Sequence, residues 1–246
     1  MRNMKIVLQY DGGRYDGWQK QGNTEQTIQG RLEKILERMT GSLIEVHGAG
    51  RTDRGVHALG QVANFKVPDS FMAEEVKEYL NRYLPEDIKV TEGQEASERF
   101  HSRLSAVSKT YRYMIETGKK DVFERKYIYG LGHSLDIEAM RKAAAYLIGE
   151  RDFRSFCAGK RIKKSTVRRL YEVSIEEQGS KVILTFRGNG FLYHMVRIMA
   201  GTLIETGLGK RKPEDMPDVL QAENREAAGF TAPPEGLFLV EVEYDT

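Results

Sequence analysis

Between Met4 and Gln94 the spacing of apolar residues switches repeatedly between two and about 3.6, and the order of those switches limits the fold more than any other feature. Met4 to Tyr10 alternates as a strand and ends on the turn signal Asp11-Gly12-Gly13. Thr27 to Met39 puts Ile28, Leu32, Ile35, Leu36 and Met39 on one helical face, and Thr40-Gly41 stops the helix. Leu43 to His47 alternates again, a glycine-rich loop runs from Gly48 to Gly60, and Gln61 to Val67 is a strand. Met72 to Leu84 reads as a helix ended by Pro85, and Ile88 to Gln94 as a strand. The order β-α-β-β-α-β is the ferredoxin-like one.

The pattern restarts further on. Thr110 to Thr117 is a strand, Ile137 to Ile148 a helix, and Arg169 to Glu176 and Lys181 to Arg187 are strands. An apolar helix from Phe191 to about Thr206, a short helix from Pro213 and a last strand from Leu237 to Tyr244 complete the chain. These elements predict an α+β fold of two halves, residues 1–105 and 106–246, with a mixed, mainly antiparallel sheet.

At 246 residues the chain is long enough to bury a core without a metal or disulfide staple. Cys157 is the one cysteine, which excludes an intramolecular disulfide and fits a reducing cytoplasm. The N-terminal stretch turns polar at Gln9, too soon for a signal peptide. Phe191 to Ile204, the most apolar stretch, contains His194 and Arg197 and is too short to span a bilayer. Net charge is only +2, but its distribution is uneven. From Phe153 to Tyr171 there is no acid and there are seven basic residues: Arg154, Lys160, Arg161, Lys163, Lys164, Arg168 and Arg169. Such a run is either a solvated loop or a local positive field for phosphates.

The segment Gly48 to Ala58, GAGRTDRGVHA, carries the most chemical information. Asp53 lies between Arg51 and Arg54, and neighbouring guanidinium groups favour a carboxylate over the neutral acid. An ionised carboxylate on a loop between strands can attack an electrophilic carbon. Equally, Arg51 or Arg54 could tie down a turn through Asp53. The glycines do not make a nucleotide loop: Gly48-x-Gly50 meets Asp53 where the dinucleotide fingerprint needs glycine. The five histidines are scattered, without metal-ligand spacing. Arg197, between Val196 and Ile198 in an apolar helix, either snorkels or pairs with an acid. Tyr111 and Tyr113 share one face of a strand whose other face takes Arg112. Exposed tyrosines beside basic residues suit base stacking; core packing is the plainer role, favoured for Tyr113 and as good as stacking for Tyr111.

Five segments together resemble the tRNA pseudouridine synthase A family: Tyr10-Asp11-Gly12 with Gly17-Trp18-Gln19; Gly48 to Gln61; Lys109 to Tyr113; Gly190 to Gly201; and Ala232 to Leu237. The similarity runs from about Lys5 to Tyr244. Two departures, Arg151 where the family more often has His and Ser102-Arg103-Leu104 where it has Ala-Arg-Phe, lie outside the Asp53 loop. The resemblance implies that Asp53 is the catalytic aspartate, that Tyr111 stacks on the target uracil and that Arg197 pairs with Asp53. It implies two facing ferredoxin-like halves around a basic central cleft, in a homodimer without metal or cofactor. The implied substrate is tRNA, at uridines 38, 39 and 40 of the anticodon stem-loop, with Arg51, Arg54, Lys160, Arg161, Lys163, Lys164 and Arg168 as candidate substrate contacts.

Two other classes remain at this level. A non-catalytic RNA-binding protein shares the ferredoxin-like order, but the aromatic RNP signature of RNA-recognition modules is absent. A nucleoside hydrolase needs a second carboxylate near Asp53, and the loop supplies none.

Overall fold

In the computed structural model, which describes residues 1–159 and 165–245, Thr27 caps the first helix by accepting the Gly30 N–H at 3.2 Å. A cap of this kind is worth about 1 kcal/mol. Lys160, Arg161, Lys163 and Lys164 of the basic run lie outside the described residues.

The chain divides into two units, residues 1–107 with 238–246, and residues 108–237. The first contains β1 (Arg2–Tyr10), α1 (Ile28–Thr40), β2 (His47–Gly48), β3 (His57–Val67), α2 (Ala73–Tyr83) and β4 (Ile88–Ala96). Met4, Ile6, Leu8 and Tyr10 are buried on one face of β1, as alternation demands. Strand β1 lies antiparallel between β4 and β3, and β2 adds antiparallel to the far side of β3. On α1, Ile28, Leu32 and Leu36 are fully buried, each contributing roughly 1.5–3 kcal/mol by leaving water.

Of the expected strand from Leu43 to His47, only His47 is in a strand, together with Gly48 in β2. The alternation is real, since Ile44 and Val46 are buried while Leu43 and Glu45 face solvent. Side chains of α1 take over the backbone groups a ladder would have used: Val46 N–H donates to Glu33 at 3.2 Å, and the Val46 carbonyl accepts from Gln29 at 3.1 Å.

The second unit contains β5 (Ala106–Glu116) from Ser108 onward, β6 (Tyr129–Gly130), α3 (Ile137–Ala145), β7 (Gly149–Asp152), β8 (Val167–Gln178), β9 (Lys181–Gly188), α4 (Met195–Gly207) and α5 (Met216–Gln221). Its strands run β5-β9-β8-β7, antiparallel throughout, with β6 parallel to β5. Helix α4 starts four residues later than the apolar run suggests. His194, just before it, sits in the left-handed region at φ 62°, which a continuing right-handed helix cannot include. The last strand, β10 (Leu237–Tyr244), pairs parallel with β3 through Phe238 and Leu239 opposite His57 and Ala58. No helix among the described residues is long and apolar enough to cross a membrane.

Candidate active site

The loop carrying Asp53 joins β2 to β3, and residues 10–18 fix its backbone from behind. Trp18 N–H donates to the Thr52 carbonyl at 3.0 Å, and Gly55 N–H donates to the Tyr15 carbonyl at 3.3 Å. Gly17 has φ 95°, a region open to glycine, and a Cβ there would lie 2.6 Å from the Thr52 carbonyl oxygen. The loop closes on itself through Val56 N–H donating to the Asp53 carbonyl at 3.1 Å.

Polar side chains of the strands hold the other flank. Tyr10 Oη and Thr52 Oγ1 are 2.8 Å apart, and Gln61 Nε2 donates to Tyr10 Oη at 3.3 Å and to the Gly50 carbonyl at 2.8 Å. Burial pushes the Tyr10 phenol up to about 12, against its hydrogen bonds to Thr52 and Gln61, so it stays neutral. Buried bonds of this kind contribute about 1 kcal/mol each. Tyr10, Thr52 and Gln61 form the part of the site that residue types alone did not reveal. The polar Gln61 at the start of the Gln61–Val67 strand was the available signal. His57 is buried, accepts the Gly12 N–H at Nδ1 (3.1 Å) and stacks on Phe238 at 4.8 Å between centroids.

Asp53 is half-buried, whereas Arg51 and Arg54 are exposed. Arg51 Nε donates to Gln19 Oε1 at 2.9 Å, and the same Gln19 donates to Gln29 on α1 at 2.7 Å. Arg54 Nε lies 3.4 Å from Asp16, which also accepts from Thr24 at 2.7 Å. Each arginine therefore braces the loop against the 16–29 segment.

In the second unit, Arg197 on α4 and Ala232 exchange two hydrogen bonds. Arg197 Nε donates to the Ala232 carbonyl at 2.7 Å, and Ala232 N–H returns to the Arg197 carbonyl at 3.0 Å. Close approach makes this possible, since a Cβ on Gly201 would lie 1.9 Å from the Phe230 carbonyl oxygen. Tyr113 Oη donates to the neighbouring Pro233 carbonyl at 2.9 Å. Burial, helped by Glu235 and Tyr129 and opposed by Arg197, pushes this phenol above its ordinary value. Tyr113 is thus a fully buried core residue, the role favoured from sequence. Tyr111 is only 7% exposed and meets Phe191 edge to face, with centroids 5.1 Å apart. Tyr111, for which packing and stacking stood level in the sequence, is thus packed in this structure. Arg168 is half-buried, and its Nη1 donates to the Ser165 and Val167 carbonyls at 3.0 and 2.6 Å.

The five segments singled out in the sequence thus assemble within the units. Those at residues 10–19 and 48–61 build the Asp53 loop, and those at 109–113, 190–201 and 232–237 meet around Arg197, Ala232 and Tyr113. Among the described residues, no three His, Cys, Asp or Glu side chains gather in a way that could hold a metal ion.

The family model for tRNA pseudouridine synthase matches residues 6–105 and 143–245. A tRNA pseudouridine synthase A of Bacillus sp. (strain KSM-64) is 49% identical over 240 residues, covering 97% of this chain and 98% of that one. A tRNA pseudouridine synthase A 2 of Bacillus cereus (strain ZK / E33L) is 43% identical over 245 residues, covering 99% of this chain and 100% of the relative. The tRNA pseudouridine synthase A of Acetivibrio thermocellus is also 43% identical, with the same coverage.

Proposed function

Since this chain belongs to the tRNA pseudouridine synthase family, we propose that it isomerises uridine to pseudouridine at positions 38, 39 and 40 of the tRNA anticodon stem-loop, with Asp53 as nucleophile. The observation that carries the assignment of Asp53 is its loop. One half-buried carboxylate is presented on a backbone fixed by Gly17, Trp18, Tyr10 and Gln61, while both flanking arginines take other partners. A nucleophile needs that fixed geometry, because its rate depends on being held near attack distance.

The reaction breaks the bond between ribose C1′ and uracil N1 and rejoins C1′ to C5. N1 gains a proton and C5 loses one, so neither redox change nor external energy is required, and the proposal includes no metal or cofactor. Asp53 attacks either the ribose C1′ or the uracil C6. The base must first leave its stem, at a cost of a few kcal/mol, offset by phosphate contacts and stacking. Tyr111 is the stacking residue in this reading, and the base reaches its ring once what covers it, including the Phe191 edge, yields. Arg197, its Nε set by Ala232, orients the Asp53 carboxylate through its guanidinium.

The same reading makes each half ferredoxin-like, supported in the first unit by the antiparallel order β4-β1-β3-β2. It includes a basic cleft served by Arg51, Arg54, Arg168 and the run from Lys160 to Lys164, in a cytoplasmic homodimer. Incubation with unmodified tRNA followed by nucleotide-resolution mapping of pseudouridine tests it. Modification at 38, 39 and 40 is expected; tight tRNA binding with no pseudouridine formed would reduce the chain to an RNA-binding protein.

A further inference from the structure

Helix α1 turns a second face outward that the Asp53 loop does not use. Arg31, Lys34 and Arg38 recur at intervals of three and four, which stacks them on one face over about 10 Å of helix. They line a cavity of about 690 Å³ together with Arg14, Tyr15 and Tyr83. None of the described residues lining it is acidic.

The four cations are in different states. Arg14 is neutralised, donating to Asp87 through Nε at 2.9 Å and Nη2 at 2.5 Å. Lys34 lies 3.8 Å from Glu25, a contact between two exposed chains that water and salt weaken. Arg38 sits over the Tyr83 ring at 4.6 Å, an arrangement that leaves its charge intact. Arg31 gives Nη2 to Gln26 at 2.9 Å, yet its Nε is buried with no hydrogen-bond partner among the described residues. A buried donor without an acceptor is the exception in folded proteins, and here it belongs to a cation lining an acid-free cavity.

We propose that this cavity and the α1 face beside it bind phosphates of an RNA strand, as a contact surface for the tRNA away from the target uridine. This rests on the reading of tRNA as substrate. A row of three cations along a helix matches successive charges on a strand better than one compact anion, and guanidinium groups favour phosphate oxygens through paired N–H donors. Such contacts add affinity and position the substrate without reading sequence.

The test uses the Lys34→Ala/Arg38→Ala double variant, whose altered side chains are exposed, and Arg31→Gln separately. Dissociation constants for full-length tRNA are measured across a salt series, beside pseudouridine formation at saturating tRNA and the melting temperature. For the double variant, the plot of log affinity against log salt should flatten by roughly two units. Affinity at moderate salt should fall on the order of tenfold, with the saturated rate and melting temperature unchanged. Arg31→Gln should flatten the slope by roughly one unit. Unchanged affinity and slope in both variants would overturn the proposal. A parallel titration with inorganic pyrophosphate separates the sources of phosphate: binding lost in the variants while tRNA affinity stays the same would assign the cavity to a small anion and overturn the RNA surface. Wild-type protein that binds tRNA through this face but forms no pseudouridine would sink the proposed reaction and leave the phosphate surface standing.

Discussion

Gly17 and Asp53 are packed backbone against backbone: a Cβ on Gly17 would lie 3.1 Å from the Asp53 carbonyl carbon and 2.6 Å from the Thr52 carbonyl oxygen. With φ at 95°, Gly17 also holds a conformation that side chains disfavour. Gly17→Ala should cost about 1–3 kcal/mol from backbone conformation alone, and the contact adds to it by pushing the Asp53 loop outward. We expect lower stability in urea and at least a tenfold loss of single-turnover rate. An alanine variant matching wild type in both measurements would show that this packing does not position Asp53.

Tyr10 gives a prediction that depends on pH. Its pKa is raised from 10.0 to about 12 in the folded chain, so the folded state holds the proton more tightly. The stabilisation is complete below about pH 10 and is lost as pH rises towards 12. Tyr10→Phe should remove up to ~1.4 kcal/mol per pH unit of alkaline destabilisation in that window. At neutral pH it should cost about 1–2 kcal/mol through the lost hydrogen bonds to Thr52 and Gln61. Chemical denaturation at pH 7 and across pH 10–12 reads both effects. A Phe variant with the wild-type alkaline slope would remove Tyr10 as a source of it.

Much of the fold was legible because the elements of this chain bury one face with a regular period. The faces of β1 and α1 are those the apolar spacing gives. Residues 43–46 show where that signal stops, since alternation reports burial and not hydrogen bonding, and Glu33 and Gln29 replaced the ladder there. The start of α4 was misplaced because Phe191 to Tyr193 are apolar or aromatic but precede a left-handed His194. The parallel pairing of β10 with β3 joins residues nearly two hundred positions apart, and local period carries no such register. Within the site, Asp53, Arg51 and Arg54 stood out by type and position, whereas the bracing by Tyr10, Gln19 and Gln61 is a tertiary matter.

Tyr111 separates two roles. If its ring only stacks on the extruded uracil, Tyr111→Phe keeps the π-face and retains most activity. Tyr111→Ala then loses stacking worth about 1–3 kcal/mol, or roughly tenfold to a hundredfold in rate. If the phenol oxygen also helps remove the C5 proton, Phe should fall nearly as far as Ala. Stacking is the expected role, and single-turnover rates at saturating tRNA for the three forms decide it.

Asp53→Asn tests the central claim most directly. The amide keeps the size of the side chain and leaves the loop bonds of Thr52, Gly55 and Val56 in place, but it cannot attack carbon as a carboxylate does. Multiple-turnover pseudouridine formation on unmodified tRNA should disappear, while the dissociation constant for tRNA changes by less than about threefold, well under 1 kcal/mol. Sustained turnover by the purified variant, free of wild-type enzyme, would contradict the assignment of Asp53 as nucleophile.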